Sequence, residues 1–173
     1  MIHFYFYQLL PIFPIALVTT AIVYFCIYKL LRSRRPKPAR TKALSEFVLI
    51  GWSVVYLYVT QLMSFGHGSW ETMNLRPFQS FITAIKYGSV GMFWQIILNI
   101  LMCAPLGFLL PTVFSKRCRN FFSVLALSFG AAFFTELTQL LTGRSADIDD
   151  VIANTLGGLL GFALYGIARR IWK

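Results

Sequence analysis

Five hydrophobic runs, each long enough to cross a lipid bilayer, constrain this chain more than any other feature. Their approximate limits are residues 10–31, 44–65, 93–114, 121–142 and 151–171. About 20 apolar residues, rising about 1.5 Å each in a helix, cross the roughly 30 Å of hydrocarbon in a membrane. Because the chain is 57% hydrophobic and only 13% charged, it lacks the polar surface of an ordinary soluble domain. The predicted fold is all-α: a single polytopic membrane helical bundle of about five transmembrane helices.

The distribution of positive charge predicts how these helices are oriented. All but three of the 16 Lys and Arg residues fall in segments 29–42, 115–120 and 169–173. Short loops rich in Lys and Arg stay in the cytoplasm, so we expect the N-terminus outside and the C-terminus in the cytoplasm. The net charge of +10 does not indicate nucleic-acid binding, because the basic residues fill short gaps between hydrophobic runs rather than the face of a soluble domain.

One sizeable outside loop is predicted, at residues 66–92. Within it Phe78, Phe81, Ile82 and Ile85 follow the i, i+3, i+4, i+7 spacing of an amphipathic helix. This pattern predicts a short helix lying in the outer headgroup layer. A segment that only closes over the bundle would show the same spacing.

Cysteine and histidine usage indicates no cofactor and no metal site. Cys26, Cys103 and Cys118 have no paired spacing with one another or with His3 and His67. The sequence also contains no Gly-rich phosphate loop and no serine–histidine arrangement. No catalytic constellation is therefore evident, and a non-enzymatic role is favoured.

Most of the acidic residues lie in one segment that joins the fourth and fifth hydrophobic runs. Four of the six are found there: Glu136, Asp147, Asp149 and Asp150. Glu136 lies within the fourth run and shares a helix face with Gln139. Because a carboxylate at membrane depth normally faces a partner inside the bundle, we expect Glu136 to be paired, either with Arg144 in the adjoining loop or with Asn99 on the third run.

The fifth run carries a stripe of small and polar residues. Asp150, Asn154, Gly157 and Gly161 fall at i, i+4, i+7 and i+11, with Gly158 beside them. Glycines on one face let membrane helices approach closely, so these three are expected to form a packing face. Asp149 or Asp150 is expected to cap the start of this helix, where a negative charge is favoured.

The predicted outer pocket combines carboxylates, amides and one arginine. Its members are Glu136, Gln139, Arg144, Asp147, Asp150, Asn154 and Asn99. Three chemistries fit this composition: oxygen ligation of a divalent cation, recognition of a zwitterionic or phosphorylated lipid head group by arginine and carboxylate, and acid–base catalysis by a carboxylate pair. The residues alone do not choose among them.

The order of these motifs resembles the VanZ-like family of bacterial membrane proteins over roughly residues 48–168. The resemblance rests on the acidic segment from Glu136 to Gly161, and it is supported by NLRPF at 74–78, by Asn99 and by PLGFLLP at 105–111. It implies a link to glycopeptide antibiotics, because the family takes its name from a protein that confers low-level teicoplanin resistance. That protein acts apart from the enzymes that remodel the peptidoglycan stem peptide.

Three hypotheses follow for the function. The first is an envelope protein whose outer acidic pocket engages a membrane lipid, a lipid-linked wall precursor or a lipoglycopeptide antibiotic. The second is a membrane enzyme acting on an isoprenoid or phospholipid head group, with Asp147 and Asp150 holding a metal or Glu136 acting as acid and base. The third, a small transporter using Glu136 and Asn99, is less favoured because no inverted repeat is visible.

Overall fold

The fold is built from helices. The computed structural model describes residues 12–31, 40–62, 73–143 and 145–171. Its elements are α1 (Ile12–Leu31), α2 (Arg40–Leu57) with a π-helical continuation (Tyr58–Leu62), α3 (Gln79–Lys86), α4 (Val90–Val113), α5 (Phe121–Leu141) and α6 (Ile148–Ile171). The described residues form no strand beyond one isolated bridge, so the predicted all-α fold is confirmed.

In the part of the chain that the structure describes, four helices are long and apolar enough to cross a membrane. These are the stretch Arg40–Gln61 and helices α4, α5 and α6, and α1 adds a slightly shorter apolar helix over Pro14–Leu30. Each of the five hydrophobic runs corresponds to one of these helices. Helices α2 and α6 begin earlier than their runs, because their first turns hold charged residues that hydropathy alone does not count.

Helices α4 and α6 form the centre of the bundle. Helix α6 packs most extensively against α4 and also against α5, whereas α2 lies against α4 and α1 against α2. A side chain at Gly157 or Gly161 would overlap the backbone carbonyls of Ile100 and Ala104 on α4. The two helices therefore touch backbone to backbone, an approach that needs glycine at these positions.

The short helix α3 divides its apolar residues between two directions. Ala84 is buried in a small cluster with Ile96 of α4 and Ala153 of α6, and Phe81 packs against that cluster. Phe78, Ile82 and Ile85 instead remain exposed: they form what we call the α3 apolar stripe. The predicted short helix is thus present, attached to α4 and α6 by one face.

Candidate functional site

The segment before α3 meets the segment before α6 at one end of the bundle. Asn74 and Asp147 form a parallel bridge, in which Asn74 N donates to Ala146 O at 3.0 Å and Ile148 N donates to Asn74 O at 2.9 Å. The side-chain amide of Asn74 also donates to Asp147 Oδ1 at 2.8 Å. These bonds hold α3 and α6 at a fixed relative position.

Asp149 extends the same attachment to the start of α3. It is only 1% exposed, and its carboxylate accepts from Phe78 N at 2.5 Å and from Ser80 N at 2.6 Å. Phe78 precedes the helix with a left-handed φ of 67° and supplies no side-chain cap. Asp149 therefore provides, from another helix, the acceptor and the negative charge that a helix N-terminus requires.

The cap of α6 is Asp147. Since the helix begins at Ile148, Asp147 occupies the N-cap position, and its Oδ1 accepts from Asp149 N at 2.8 Å. Its second oxygen accepts from Ser80 Oγ at 3.1 Å. The expectation that Asp149 or Asp150 caps this helix is wrong, because the helix starts early enough to include both in its first turn.

Glu136 and Gln139 join α5 to this end of the bundle. Glu136 is 5% exposed and its Oε2 accepts from Asp147 N at 2.9 Å. Gln139 is 4% exposed, and its Nε2 donates to Thr60 O at 2.8 Å. In the described part of the chain Gln139 Oε1 has no hydrogen-bond partner. A buried carbonyl without a donor is unfavourable, so this atom marks a place that a donor group would stabilise.

Asn99 pairs with Asp150 rather than with Glu136. Its Nδ2 donates to Asp150 Oδ1 at 2.6 Å, a charge-assisted bond that links α4 to α6. Arg144, the other proposed partner of Glu136, lies outside the described residues. The structure thus brings Asn99, Glu136, Asp147 and Asp150 to one end of the bundle.

Asn154 lies apart from this carboxylate network. It is buried on α6, one turn further along the helix than Asp150, and it lines a cavity together with Tyr56 and Cys103. The predicted pocket is therefore divided between two places, an acidic network at the end of the bundle and a mostly apolar cavity within it.

A set of hydrogen bonds that we call the α2–α5 latch closes the space between those two helices at the same end. Tyr56 Oη and Thr135 Oγ1 are 3.1 Å apart, and Gln61 Nε2 donates to Thr135 O at 3.3 Å. The bond from Gln139 to Thr60 completes the latch. Thr60 and Gln61 lie in the π-helical segment and Tyr56 lies two residues before it. Local π-helical geometry often occurs at functional sites.

Sequence reasoning missed several members of both groups. Asn74 and Ser80 bind the aspartates across more than 65 residues of chain. Asn74 lies in the NLRPF motif, but no local pattern reveals which residues it contacts. Thr60 and Gln61 are visible in the sequence as polar residues inside an apolar run, but this indicates a buried polar contact without identifying the partner. The described residues hold no group of three or more His, Cys, Asp or Glu side chains that could bind a metal ion.

Among the described residues, the exposed charges near the network are positive. Arg76 and Lys86 lie on the surface on either side of the α3 apolar stripe, whereas the four carboxylates are buried or half-buried. A surface with apolar side chains flanked by cations suits contact with lipid acyl chains and anionic head groups.

Comparisons with known proteins agree with the pattern of motifs. A family model described as VanZ/LLP1 matches residues 16–169, which include every described site residue. Protein VanZ of Enterococcus faecium is 30% identical over 128 residues, covering 71% of this chain and 70% of that protein. No solved structure matches the chain. The chain therefore belongs to the VanZ/LLP1 family.

Proposed function

We propose that this protein works in the bacterial cell membrane by engaging a lipid or lipid-linked ligand at the outer leaflet. In this role it contributes to resistance against glycopeptide antibiotics of the teicoplanin type. Family membership and the apolar helices support a multi-pass membrane protein with a role like that of VanZ. Teicoplanin itself carries an acyl chain, so an antagonist acting among outer-leaflet lipids is physically reasonable.

Charge supports the orientation that this proposal needs. The ends of α1 and α6, the start of α2 and the α4–α5 connection hold most of the described basic residues: Lys29, Arg40, Lys42, Lys116, Arg117, Arg119, Arg169 and Arg170. The opposite end, with α3 and the acidic network, holds Arg76 and Lys86. By the positive-inside rule the α3 end faces outward.

The observation that carries the proposal is the attachment of α3 by the carboxylates of Asp147 and Asp149. Asp149 and Asp147 fix the start of this helix, and Ala84 anchors its inner face. The α3 apolar stripe is thereby held outward beside Arg76 and Lys86. Apolar side chains held at a membrane surface insert among acyl chains, so the acidic network acts by positioning this surface.

Drug susceptibility tests the proposal directly. The chain would be expressed in a teicoplanin-sensitive Gram-positive host, and inhibitory concentrations of teicoplanin and vancomycin would be measured. We expect tolerance to rise for teicoplanin more than for vancomycin, and to be lost in Asp149→Asn. Glu46→Gln is the matched control, because Glu46 lies in the half of α2 that is far from the acidic network. This variant should keep the rise in teicoplanin tolerance. An equal response to both drugs, or none, would contradict the proposal.

A further inference from the structure

A cavity of about 350 Å³ lies among the membrane-spanning helices. Leu49 and Tyr56 of α2 form one side, Ala131 and Leu127 of α5 the other, and residues of α4 and α6 line the remainder. Its volume falls within the range of small-ligand pockets. The lining is mainly aliphatic and aromatic, so the cavity suits an apolar occupant.

The α2–α5 latch closes the cavity toward the end of the bundle that holds the acidic network. Away from the latch the cavity extends along α4 past Leu110 to Phe114, the residue that follows this helix. Its long direction therefore follows the helices. An occupant lying in it would be elongated and would run nearly parallel to the neighbouring lipid chains.

Asn154 gives the cavity a polar end. Its side chain lines the cavity although the residue is only 4% exposed, and this side chain makes no hydrogen bond to another described residue. It lies about 9 Å along α6 from the first residue, at 1.5 Å per residue. An amide that faces an apolar cavity without a partner is unfavourable, so a ligand that offers an acceptor at this depth would be stabilised.

We propose that this cavity binds a fatty-acyl chain of a membrane glycerolipid. The ester carbonyl accepts a hydrogen bond from Asn154 Nδ2, and the chain extends toward Phe114. The glycerol and head group leave the cavity sideways between α2 and α5, where Leu127 and Ala131 of the lining are exposed. An acyl ester fits both features, because it joins a hydrocarbon chain to an uncharged acceptor at the edge of the hydrocarbon region. The site is independent of the proposed function, which concerns the surface of α3.

Photolabelling of the full-length protein tests this site. The protein would be placed in vesicles of a dialkyl ether lipid, which has no carbonyl, with a trace of phosphatidylcholine bearing a diazirine on one acyl chain. We expect the diazirine to label Leu106 and Leu110. Unlabelled ester lipid should suppress this labelling, whereas additional ether lipid should not. Labelling of the exposed Phe133 and Phe134 should respond equally to both lipids. Equal competition at the cavity residues would overturn the proposal.

Three variants separate the cavity from the general lipid surface. Ala131→Phe fills the cavity and should abolish its labelling, whereas Ala126→Phe makes the same change at an exposed position of α5 outside the cavity and should leave labelling intact. Asn154→Leu should lower the preference for ester over ether lipid roughly fivefold, the loss expected for one hydrogen bond. Helical content, measured by circular dichroism, checks that each variant folds. Unchanged labelling in folded Ala131→Phe would contradict the site.

Discussion

The carboxylate of Asp149, in the first turn of α6, accepts a hydrogen bond from the backbone N–H of Phe78, 71 residues earlier in the chain. Phe78 is the one described non-glycine residue with positive φ, a backbone state that L-residues adopt at a cost. The same carboxylate binds Ser80 N. The start of α3 therefore depends on an acid that belongs to another helix.

Removal of this charge should detach α3 while the spanning helices persist. Asp149→Asn keeps the shape of the side chain but leaves one acceptor oxygen, so that one of the two N–H groups faces an NH2 donor instead of a carboxylate oxygen. We expect the free energy of unfolding to fall by about 2 kcal/mol, typical of a hydrogen bond to a charged group. Proteolysis within residues 73–89 should also become faster. The measurement is denaturant unfolding in detergent combined with limited proteolysis.

Glu46→Gln provides the comparison for this change, since it neutralises a carboxylate at the far end of α2. A change within about 0.5 kcal/mol is expected there. If the protease cleaves residues 73–89 no faster in Asp149→Asn than in Glu46→Gln, the Asp149 carboxylate does not hold α3.

Hydropathy was sufficient to predict the helices, because an apolar run of this length has few alternatives to a spanning helix. The glycine stripe was also visible, since the i, i+4, i+7 spacing places its members on one face whatever the fold. Both features depend on residues close together in sequence. Local sequence patterns predict which residues share a face of one helix, but not which residues of another helix they contact.

The partners of the acidic residues could not be predicted in the same way. Asn99 was considered for Glu136, yet it bonds to Asp150, because the choice depends on how α4 and α6 are rotated against each other. The sequence predicts Asp149 or Asp150 as a cap of their own helix, although the carboxylate of Asp149 binds the start of α3. The cavity that Asn154 lines was missed for a similar reason: it arises from the separation of α2 and α5.

Close contact between α4 and α6 should make Gly161 intolerant of any side chain. A methyl group there would overlap Ala104 O and the backbone of Phe108. We expect Gly161→Ala to lower the free energy of unfolding by about 2 to 3 kcal/mol through overpacking. Gly166→Ala, on the same helix with open space around it, should be neutral or slightly stabilising. Thermal unfolding of both variants in one detergent checks the difference, and equal melting temperatures would contradict this packing.

The bond between Asn99 and Asp150 should appear as an energetic coupling. A double-mutant cycle with Asn99→Leu and Asp150→Leu is expected to give about 1 to 3 kcal/mol, since the two side chains are in direct contact and one is ionisable. The matched cycle pairs Asn99→Leu with Glu46→Gln, and those changes should add to within about 0.5 kcal/mol. If the coupling energy of the first cycle is as small as that of the second, the Asn99–Asp150 bond contributes nothing specific to stability.

Reporter fusions should show that the α3 end faces outward. Alkaline phosphatase is active only outside the cytoplasm, so we expect an active enzyme when it is inserted at Gly88 and an inactive one when it follows Lys116. Green fluorescent protein, which folds in the cytoplasm, should fluoresce at the C-terminus. The physical cause is the retention of Lys and Arg in short cytoplasmic loops. Neutralising Lys116, Arg117 and Arg119 together should therefore increase the fraction of inverted molecules. If phosphatase is active after Lys116 in the unaltered chain, the orientation is the opposite of the predicted one, and the α3 apolar stripe lies at the inner leaflet.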